Sequence, residues 1–267
     1  MANINLCSFV DSRMSPTLKR LKKQAEAFDI FEKILLYNEK CFDEDFLKIF
    51  GSKLNPKTRG YGYWVWKPYI IQKALSEINE DDILLYIDAG SHLNINGKER
   101  FKEYLEIVNN NKSGFLTFEI YGEVFLEKYW TKGDLLNFFG VIDNNSITDS
   151  PMRDATTIFI RKSQYSLAFI DRWLSVFKSN YSLIDDTPSV IPNFEGFIEH
   201  RFDQSVYSIL CKIEGLEVLS AKEIYNTDWK LMDNCPIWQK RDKYIKLRYR
   251  YSLQRFLKKI KKRYFTR

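Results

Sequence analysis

The amino-acid sequence predicts an α/β fold built on a mainly parallel sheet flanked by helices. Short apolar runs alternate along the chain with stretches of helical periodicity, as they do in βαβ units. The clearest run, residues 82–88, is almost entirely apolar, which is typical of a central parallel strand buried on both faces. The chain has 267 residues, of which 45% are hydrophobic and 28% charged, and this is enough to form a large globular core.

The individual elements follow from the pattern of apolar residues and from the turn residues between them. Strands are expected where a short apolar run ends at polar or glycine residues, at 4–10, 32–38, 82–88, 114–118 and 156–160. Helices are expected where apolar residues recur every three or four positions, at 18–28, 45–50, 68–78, 126–139, 167–177 and 203–211. Neither an internal repeat nor a linker interrupts the chain before residue 239.

Charge is divided unevenly along the chain. Residues 239–267 contain 13 Lys or Arg and one Asp, whereas residues 1–238 contain 28 basic and 34 acidic side chains. We therefore expect a globular domain at 1–238 and a basic tail at 239–267. Apolar residues recur between the cations of the tail, which indicates an amphipathic helical extension suited to an anionic membrane surface. A helix packed on the body or a nucleic-acid-binding tail fits the same pattern, although the acidic body disfavours nucleic acid as a partner.

The cysteines and the N-terminus indicate the cellular compartment in which the protein is expected. The four cysteines are far apart and form no CxxC pair, so we expect neither a zinc site nor a disulfide framework. The N-terminus lacks the basic and apolar regions of a signal peptide. The sequence also lacks an apolar stretch of about 18 residues, so a membrane-spanning helix is not expected. Together these observations predict a cytoplasmic protein.

Asp88 directly follows the clearest strand, in the sequence Leu-Tyr-Ile-Asp-Ala-Gly. Ligands of open α/β sheets bind beyond the carboxyl ends of the strands. A carboxylate at that place can hold Mg²⁺ or Mn²⁺ against a diphosphate. An aspartate that only caps a turn would occupy the same position. The interpretation of Asp88 as a binding residue therefore depends on the other motifs in the sequence.

A segment rich in glycine, aromatic and basic residues, Arg-Gly-Tyr-Gly-Tyr-Trp-Val-Trp-Lys-Pro, covers positions 59–68. Glycine permits close approach of the backbone, aromatic rings can stack on a base, and Arg or Lys can neutralise phosphate. An aromatic core segment that leads into a helix would look similar. Because two cations beside so many rings are costly to bury without a partner, we favour ligand binding. The candidates are Arg59, Tyr61, Gly62, Trp66 and Lys67.

The start of the last predicted helix carries a second polar cluster, Glu-His-Arg-Phe-Asp-Gln-Ser at positions 199–205. A helix N-terminus favours anionic ligands, and Asp203 in the first turn can act as a general base or position a hydroxyl group. An Asp or Ser that caps the helix explains the same residues. Both interpretations stay open at this point.

Taken together, these segments resemble bacterial capsule and O-antigen glycosyltransferases of the GT-A type. The resemblance rests on four motifs in the expected order: the segment at 59–68, Asp-Ala-Gly at 88–90, Glu-Lys-Tyr-Trp-Thr-Lys-Gly-Asp at 127–134 and His-Arg-Phe-Asp-Gln-Ser at 200–205. It implies a GT-A-like domain with a Rossmann-like nucleotide-binding half and an acceptor half. Such a domain moves a hexose from a UDP-sugar to a glycan acceptor in surface polysaccharide synthesis. Galactose, in pyranose or furanose form, is the sugar that the resemblance suggests. It also suggests a lipid-linked acceptor and a peripheral position at the inner face of the plasma membrane.

The resemblance also implies roles for individual residues. Asp88, Ala89 and Gly90 join the donor-binding candidates, with Mn²⁺ or Mg²⁺ as the cofactor at Asp88. The Asp-X-Asp metal motif of such enzymes is incomplete here because Gly90 replaces the second acid, and His92 is then the next candidate ligand. The catalytic candidates are Asp203, Glu119 and Glu199. The acceptor-binding candidates are Lys132, Asp134, Arg153, His200 and Arg201.

Other functions fit parts of the sequence. A nucleotide-sugar phosphohydrolase or a nucleotidyltransferase could use the same phosphate site. A nucleotidyltransferase would be expected to carry a glycine-rich basic loop after its first strand, whereas this chain has Asp11-Ser-Arg-Met-Ser there. A membrane- or RNA-binding module that acts through the tail is the non-enzymatic alternative. The residues do not separate inverting from retaining transfer.

Overall fold

The computed structural model describes residues 2–243, which form a central sheet with helices on both faces. The sheet contains β1 (Ile4–Phe9), β2 (Phe31–Tyr37), β3 (Ile83–Ile87), β5 (Phe115–Glu119), β6 (Arg153–Arg161) and β7 (Val218–Ser220), and a small second sheet pairs β4 (His92–Leu93) with β8 (Ile237–Trp238). The helices are α1 (Ser15–Phe28), α2 (Glu44–Phe50), α3 (Gly60–Tyr63), α4 (Trp66–Ser76), α5 (Lys98–Asn110), α6 (Glu127–Trp130), α7 (Gly133–Phe138), α8 (Asn145–Thr148), α9 (Gln164–Ser179) and α10 (Asp203–Ile213).

The strand order of the central sheet is β2-β1-β3-β6-β5-β7. β6 runs antiparallel to both of its neighbours, and the other paired strands are parallel. This confirms the expected α/β class with a mainly parallel sheet. Because β6 is reversed, it begins at the edge where β1, β3 and β5 end. Its register pairs Thr157 with Ile87 and Arg153 with Glu119.

Both faces of the sheet are covered, which explains why β3 is a nearly continuous apolar run. On one face, Leu84 and Tyr86 belong to a core that includes Ile70 of α4, Trp173 of α9 and Tyr207 of α10. Ile83, Leu85 and Ile87 belong to the core on the other face, with α1 and α5 above it. Successive strand residues therefore enter opposite layers, as the pleat requires.

The expected helices are present, but one of them is divided, and α3, α5 and α8 are additional helices. The stretch 126–139 contains two short helices, α6 and α7, rather than one. α5 was not expected, although its buried residues Phe101, Tyr104 and Val108 have the three- and four-residue spacing of a helix face. α9 begins with a reciprocal capping box between Ser163 and Ser166, which explains its sharp start.

The first residues of the expected basic tail pack against the domain. Gln239 is buried, and its backbone N–H donates to the Ile224 carbonyl at 2.8 Å. The Asp242 N–H donates to the Gly90 carbonyl at 3.0 Å. The amphipathic helix expected for the rest of the tail lies outside the described residues. Within residues 2–243, every helix is too short or too polar to cross a bilayer.

Candidate active site

Polar residues gather where the parallel strands end and β6 begins. Asp11 lies two residues beyond β1, and Asp88 directly follows β3. Two helices begin at the same edge: Lys67 is the second residue of α4, and Asp203 is the first residue of α10. Four segments that are distant in sequence therefore meet at one edge of the sheet.

The centre of this edge is a charged cluster formed by Lys67, Asp88 and Asp203. The Lys67 Nζ lies 2.7 Å from Oδ2 of Asp203 and 3.5 Å from Oδ1 of Asp88, and it donates to the Ala155 carbonyl at 3.0 Å. The Tyr86 hydroxyl donates to Oδ1 of Asp88 at 2.7 Å. The side chains of Lys67 and Asp203 are 3% and 5% exposed, whereas that of Asp88 is 31% exposed. Asp88 is therefore the member of the cluster that faces solvent.

The electrostatics of the cluster follow from burial and pairing. Burial raises the pKa of Asp203 to about 6, against the opposing effect of Lys67. Burial alone would lower the pKa of Lys67, but the Asp203 and Asp88 carboxylates outweigh it and hold that pKa above its ordinary value. Lys67 is therefore a permanent cation, and Asp203 changes its protonation state close to neutral pH.

The segment that leads into Lys67 has an unusual backbone. Residues 60–64 all have positive φ, between 52° and 96°, so α3 is a left-handed turn. This conformation costs about 1–2 kcal/mol for each non-glycine residue. A Cβ at Gly60 would overlap the Trp64 ring, so glycine is required there. The turn is closed by Trp66, whose Nε1 donates to the Gly60 carbonyl at 2.9 Å.

The turn separates the aromatic residues of the 59–68 segment into two groups. The Trp66 ring is buried against Phe9, with 4.2 Å between ring centroids, so Trp66 belongs to the core and cannot stack on a ligand. Tyr61 is only partly buried and lies 6.5 Å from Phe9, beside the end of β1. Of the predicted stacking residues, Tyr61 is therefore the one that a ligand can reach.

The segment before Asp203 is also constrained. Phe202 has φ 54° and ψ −122°, a conformation that a non-glycine residue rarely adopts. Its ring lies between that of Trp64, stacked at 5.9 Å, and the Arg59 guanidinium at 4.8 Å. The strained turn and the strained residue thus pack on each other. Their contact fixes the entries of α4 and α10, and with them Lys67 and Asp203.

Arg59 and Glu199, which are 140 residues apart, form a two-armed ion pair with distances of 3.1 and 3.3 Å. Arg201 contacts the same Glu199 carboxylate at 3.1 Å, and its guanidinium lies 4.0 Å from the centre of the Trp130 ring. The Arg59 hydrogen bonds hold the pKa of Glu199 below its usual range. A carboxylate held by two guanidinium groups is suited to positioning them and poorly suited to accepting a proton.

Comparison with known proteins bears on this architecture. No protein-family profile matches the chain, and a search of curated proteins finds no match. Among solved structures, a glycosyltransferase involved in glycosylation of the major capsid of PBCV-1 is similar, with a TM-score of 0.52, 12% identity, and coverage of 88% of this chain and 92% of that one.

The chain has the GT-A glycosyltransferase fold. Two further structures are similar at lower scores. Mouse xyloside xylosyltransferase 1 has a TM-score of 0.48 at 7% identity, with coverage of 89% of this chain and 97% of that one. The galactosyltransferase LgtC, in complex with donor and acceptor sugar analogues, has a TM-score of 0.41 at 13% identity, with coverage of 88% and 86%.

In this GT-A fold, three of the predicted acceptor-binding residues hold the long segment that precedes α10. The Lys132 ammonium donates to the carbonyls of Asp185 and Thr187, at 3.0 and 3.2 Å. The Asp134 carboxylate accepts from backbone N–H groups at 190 and 191. His200 is buried, and burial lowers its pKa to about 3, so its imidazole is neutral. These contacts explain the three residues as supports of the segment and leave their predicted role in acceptor binding as a prediction.

Glu119 and Arg153 form an ion pair with each other, at the end of β5 and the start of β6. Arg153 is three residues away from Thr156, whose carbonyl accepts from the Asp88 N–H at 2.8 Å. Ala155, whose carbonyl accepts from the Lys67 ammonium, is two residues from Arg153, so the ion pair lies next to the cluster. Arg153 holds the Glu119 carboxylate, and within the described residues no ion pair joins Glu119 to Lys67.

The residues around Asp88 do not fit the expected metal site. Oδ1 of Asp88 already accepts from Tyr86 and lies beside the Lys67 ammonium, which repels a second cation. Among the described residues, no group of three His, Cys, Asp or Glu side chains converges as metal ligands would. At this strand end the described residues leave one Asp88 oxygen that neither Tyr86 nor Lys67 contacts, so a cation there would take its other ligands from water and substrate phosphate.

His92, the other predicted metal ligand, is held by protein partners on both ring nitrogens. Its Nε2 lies 2.9 Å from Oδ2 of Asp242, and its Nδ1 lies 3.1 Å from Nε2 of Gln24. Burial lowers its pKa, and Arg20 adds to this effect. The His92 imidazole therefore links β4 to residues 239–243, which we call the C-terminal segment. Of the neighbouring donor candidates, Ala89 is buried in the core and Gly90 lies against Arg241.

Two residues of the site were not among the candidates. Tyr86 lies two residues before Asp88 on one strand, so the two side chains share a face, and the spacing already contained this signal. Arg241 was counted with the basic tail because its neighbours in sequence are cations. Its place beside Gly90 depends on the pairing of β8 with β4. Strands of two residues are too short to be predicted from a sequence pattern.

We predict that Lys67→Met destabilises the protein by about 3–5 kcal/mol at neutral pH, because it leaves the Asp203 carboxylate buried without its partner. Because the pKa of Asp203 is raised, the folded state binds this proton more tightly than the unfolded chain does. The free energy of unfolding therefore falls as the pH rises from the ordinary pKa of 3.8 to the folded-state pKa of about 6. Loss of Lys67 raises that pKa further. The difference in free energy of unfolding between the wild type and Lys67→Met should therefore become smaller as the pH is lowered from about 8 to about 5.

Urea unfolding at several pH values measures this effect. Lys48→Met, at an exposed lysine paired with Asp45, is the matched control and should change little. The double variant Lys67→Met/Asp203→Asn should recover most of the loss. A pH-independent deficit that the double variant does not relieve would show that Lys67 acts by packing alone.

Proposed function

We propose that this protein is a glycosyltransferase that moves a hexose from a UDP-sugar to a lipid-linked glycan acceptor during surface polysaccharide synthesis. The observation that carries the proposal is the cluster of Lys67, Asp88 and Asp203 at the ligand-binding edge of a GT-A fold. The sequence resemblance to capsule and O-antigen enzymes supports three further details of the proposal: UDP as the nucleotide, galactose as the sugar and a lipid-linked acceptor.

In this proposal Asp203 is the base. Its carboxylate takes the proton of the acceptor hydroxyl while the acceptor oxygen bonds to the anomeric carbon. The bond from that carbon to the diphosphate breaks, and its electron pair leaves with the nucleotide. A pKa of about 6 suits a base at neutral pH, since the group is ionised yet retains proton affinity. Lys67 keeps the carboxylate in place and ionised once the substrates exclude water.

Asp88 has a different role in the same cluster. It is the exposed carboxylate, and the Tyr86 hydroxyl and the Lys67 ammonium fix its Oδ1. Its other oxygen can accept hydrogen bonds from hydroxyl groups of the donor. Tyr61, at the end of β1, offers an accessible ring against which a base can stack. The donor would then lie across the strand ends, between Tyr61 and Asp203.

We also propose that the enzyme works at the inner face of the plasma membrane. Residues 244–267 contain ten Lys or Arg and no acidic residue, whereas the body is acidic. Such a segment is attracted to anionic lipid by about 1 kcal/mol for each cation close to the surface. A lipid-linked acceptor would be concentrated on the same surface, so attachment would bring the enzyme to its substrate.

We predict that the purified protein releases nucleotide from a UDP-hexose in the presence of a suitable glycan acceptor. The rate should rise with pH on an acidic limb near 6, because Asp203 must be ionised to take the proton. Asp203→Asn should lower kcat by roughly 10²–10⁴-fold while UDP still binds. A panel of UDP- and GDP-sugars, assayed by nucleotide release across pH, tests this.

Asp45→Asn is the control for this assay, since Asp45 is an exposed carboxylate on α2. A wild-type rate without an acidic limb, or an Asp203→Asn variant with full activity, would remove Asp203 from the reaction. Release of UMP and sugar 1-phosphate instead of UDP, at an equal rate with and without acceptor, would favour a phosphohydrolase.

A second prediction concerns the membrane. The full chain should sediment with vesicles that contain anionic phosphatidylglycerol and not with neutral phosphatidylcholine vesicles, and added salt should weaken the binding. A chain that ends at Lys243 keeps the described domain and should lose most of the binding. Equal binding of both chains would place the attachment on the domain and contradict the role of the tail.

A further inference from the structure

We propose that Arg59, Arg201 and Arg241 bind the diphosphate of the donor and take the place of a divalent cation. This inference rests on the proposed function, because it names how that same site holds its substrate. It starts from the position of Gly90, where the expected motif would have its second acid.

The C-terminal segment lies directly on Gly90. A Cβ at this position would be 3.1 Å from the Cα of Arg241, so a larger side chain would push the segment away. The Asp242 N–H donates to the Gly90 carbonyl at 3.0 Å. Arg241 itself has φ 54°, a left-handed conformation that turns the chain at this contact. The place of the missing acid is therefore covered by a backbone that carries an exposed arginine.

Two further guanidinium groups lie beside the residues that precede α10. Arg59 and Arg201 both contact the Glu199 carboxylate, which can neutralise only one of them. Burial lowers the pKa of Arg201, Glu199 opposes this effect, and the charges of Arg59 and Arg241 lower the pKa further. Arg59, Arg201 and Glu199 together carry a net charge of +1, and Arg241 is an exposed cation beside Gly90 whose neighbour Asp242 contacts His92. An anion between them would relieve the repulsion.

A diphosphate fits this charge and this geometry. Guanidinium groups bind phosphate oxygens through parallel N–H donors and stay charged at any physiological pH. Lys67 cannot do the same, since its ammonium is buried between Asp88 and Asp203. That cluster is itself negative by one charge and would repel a bare phosphate. The arginines therefore supply the attraction that the strand end lacks.

Calorimetric titration of the full chain tests the proposal, with UDP, GDP and inorganic pyrophosphate as probes, in EDTA and in Mn²⁺. We expect a nucleoside diphosphate to bind in EDTA, with a Kd that Mn²⁺ changes by less than about threefold. Arg241→Gln and Arg201→Gln should each raise the Kd about tenfold or more, because each removes charge-assisted hydrogen bonds to phosphate. Arg241→Lys should recover part of the loss.

Arg172→Gln is the matched control, because Arg172 pairs with Glu214 on an exposed part of α9 and its loss changes the net charge equally. Its Kd should equal that of the wild type, and thermal unfolding should show that all variants fold. Binding or transfer that requires Mn²⁺ would overturn the arginine site and leave the transferase intact. So would an unchanged Kd in Arg241→Gln. Absence of binding and of transfer under both conditions would overturn the proposed function as well.

Discussion

The ammonium group of Lys67 lies where α4, α10 and the end of β3 meet, and the geometry of the site depends on it. It is buried within 2.7 Å of Asp203 and 3.5 Å of Asp88. Two carboxylates at such distances would repel each other strongly in a medium of low polarity. The cation between them allows both to stay near the strand ends and leaves the cluster with one net negative charge. Removing Lys67 would leave the Asp203 carboxylate buried and unpaired, at a cost that exceeds the loss of a surface pair several-fold.

The position of Lys67 is produced by backbone strain on both sides of the cluster. The left-handed turn at 60–64 reverses the chain just before α4, and Phe202 holds an unfavourable conformation just before α10. Each strained residue costs on the order of 1–3 kcal/mol. The stacking of Trp64 on Phe202 and the Arg59 guanidinium above that ring tie the two segments together. Strain of this kind persists only where surrounding contacts determine it, and it is concentrated at functional sites.

Much of this arrangement could be predicted from sequence because it follows from local rules. The apolar run before Asp88 indicates a buried strand, and the carboxyl end of such a strand is where ligands bind. Lys67 and Asp203 are predicted as site residues because each lies at the start of a helix among aromatic, glycine or polar residues. What could not be predicted is that one would bury its charge against the other. That pairing depends on long-range packing of two helices, which single-sequence periodicity does not contain.

The remaining differences have similar causes. The reversed direction of β6 does not alter its apolar pattern, so the sequence could not indicate it. Arg241 was assigned to the tail by composition, yet its place is set by a two-residue strand pairing. Lys132 and Asp134 are polar residues in a motif of interest, and the structure shows that both hold a neighbouring segment. Charged residues at a site include its supports, and sequence alone does not separate supports from groups that contact the substrate.

The most direct measurement of the central claim is an NMR titration of the Asp203 carboxyl carbon, assigned by its absence in Asp203→Asn. The account predicts a pKa of about 6 in the wild type, because burial raises it while Lys67 limits the rise. In Lys67→Met the same carbon should titrate at a distinctly higher pH. An ordinary value near 4 in both proteins would contradict the account, since Asp203 would then be solvated and independent of Lys67.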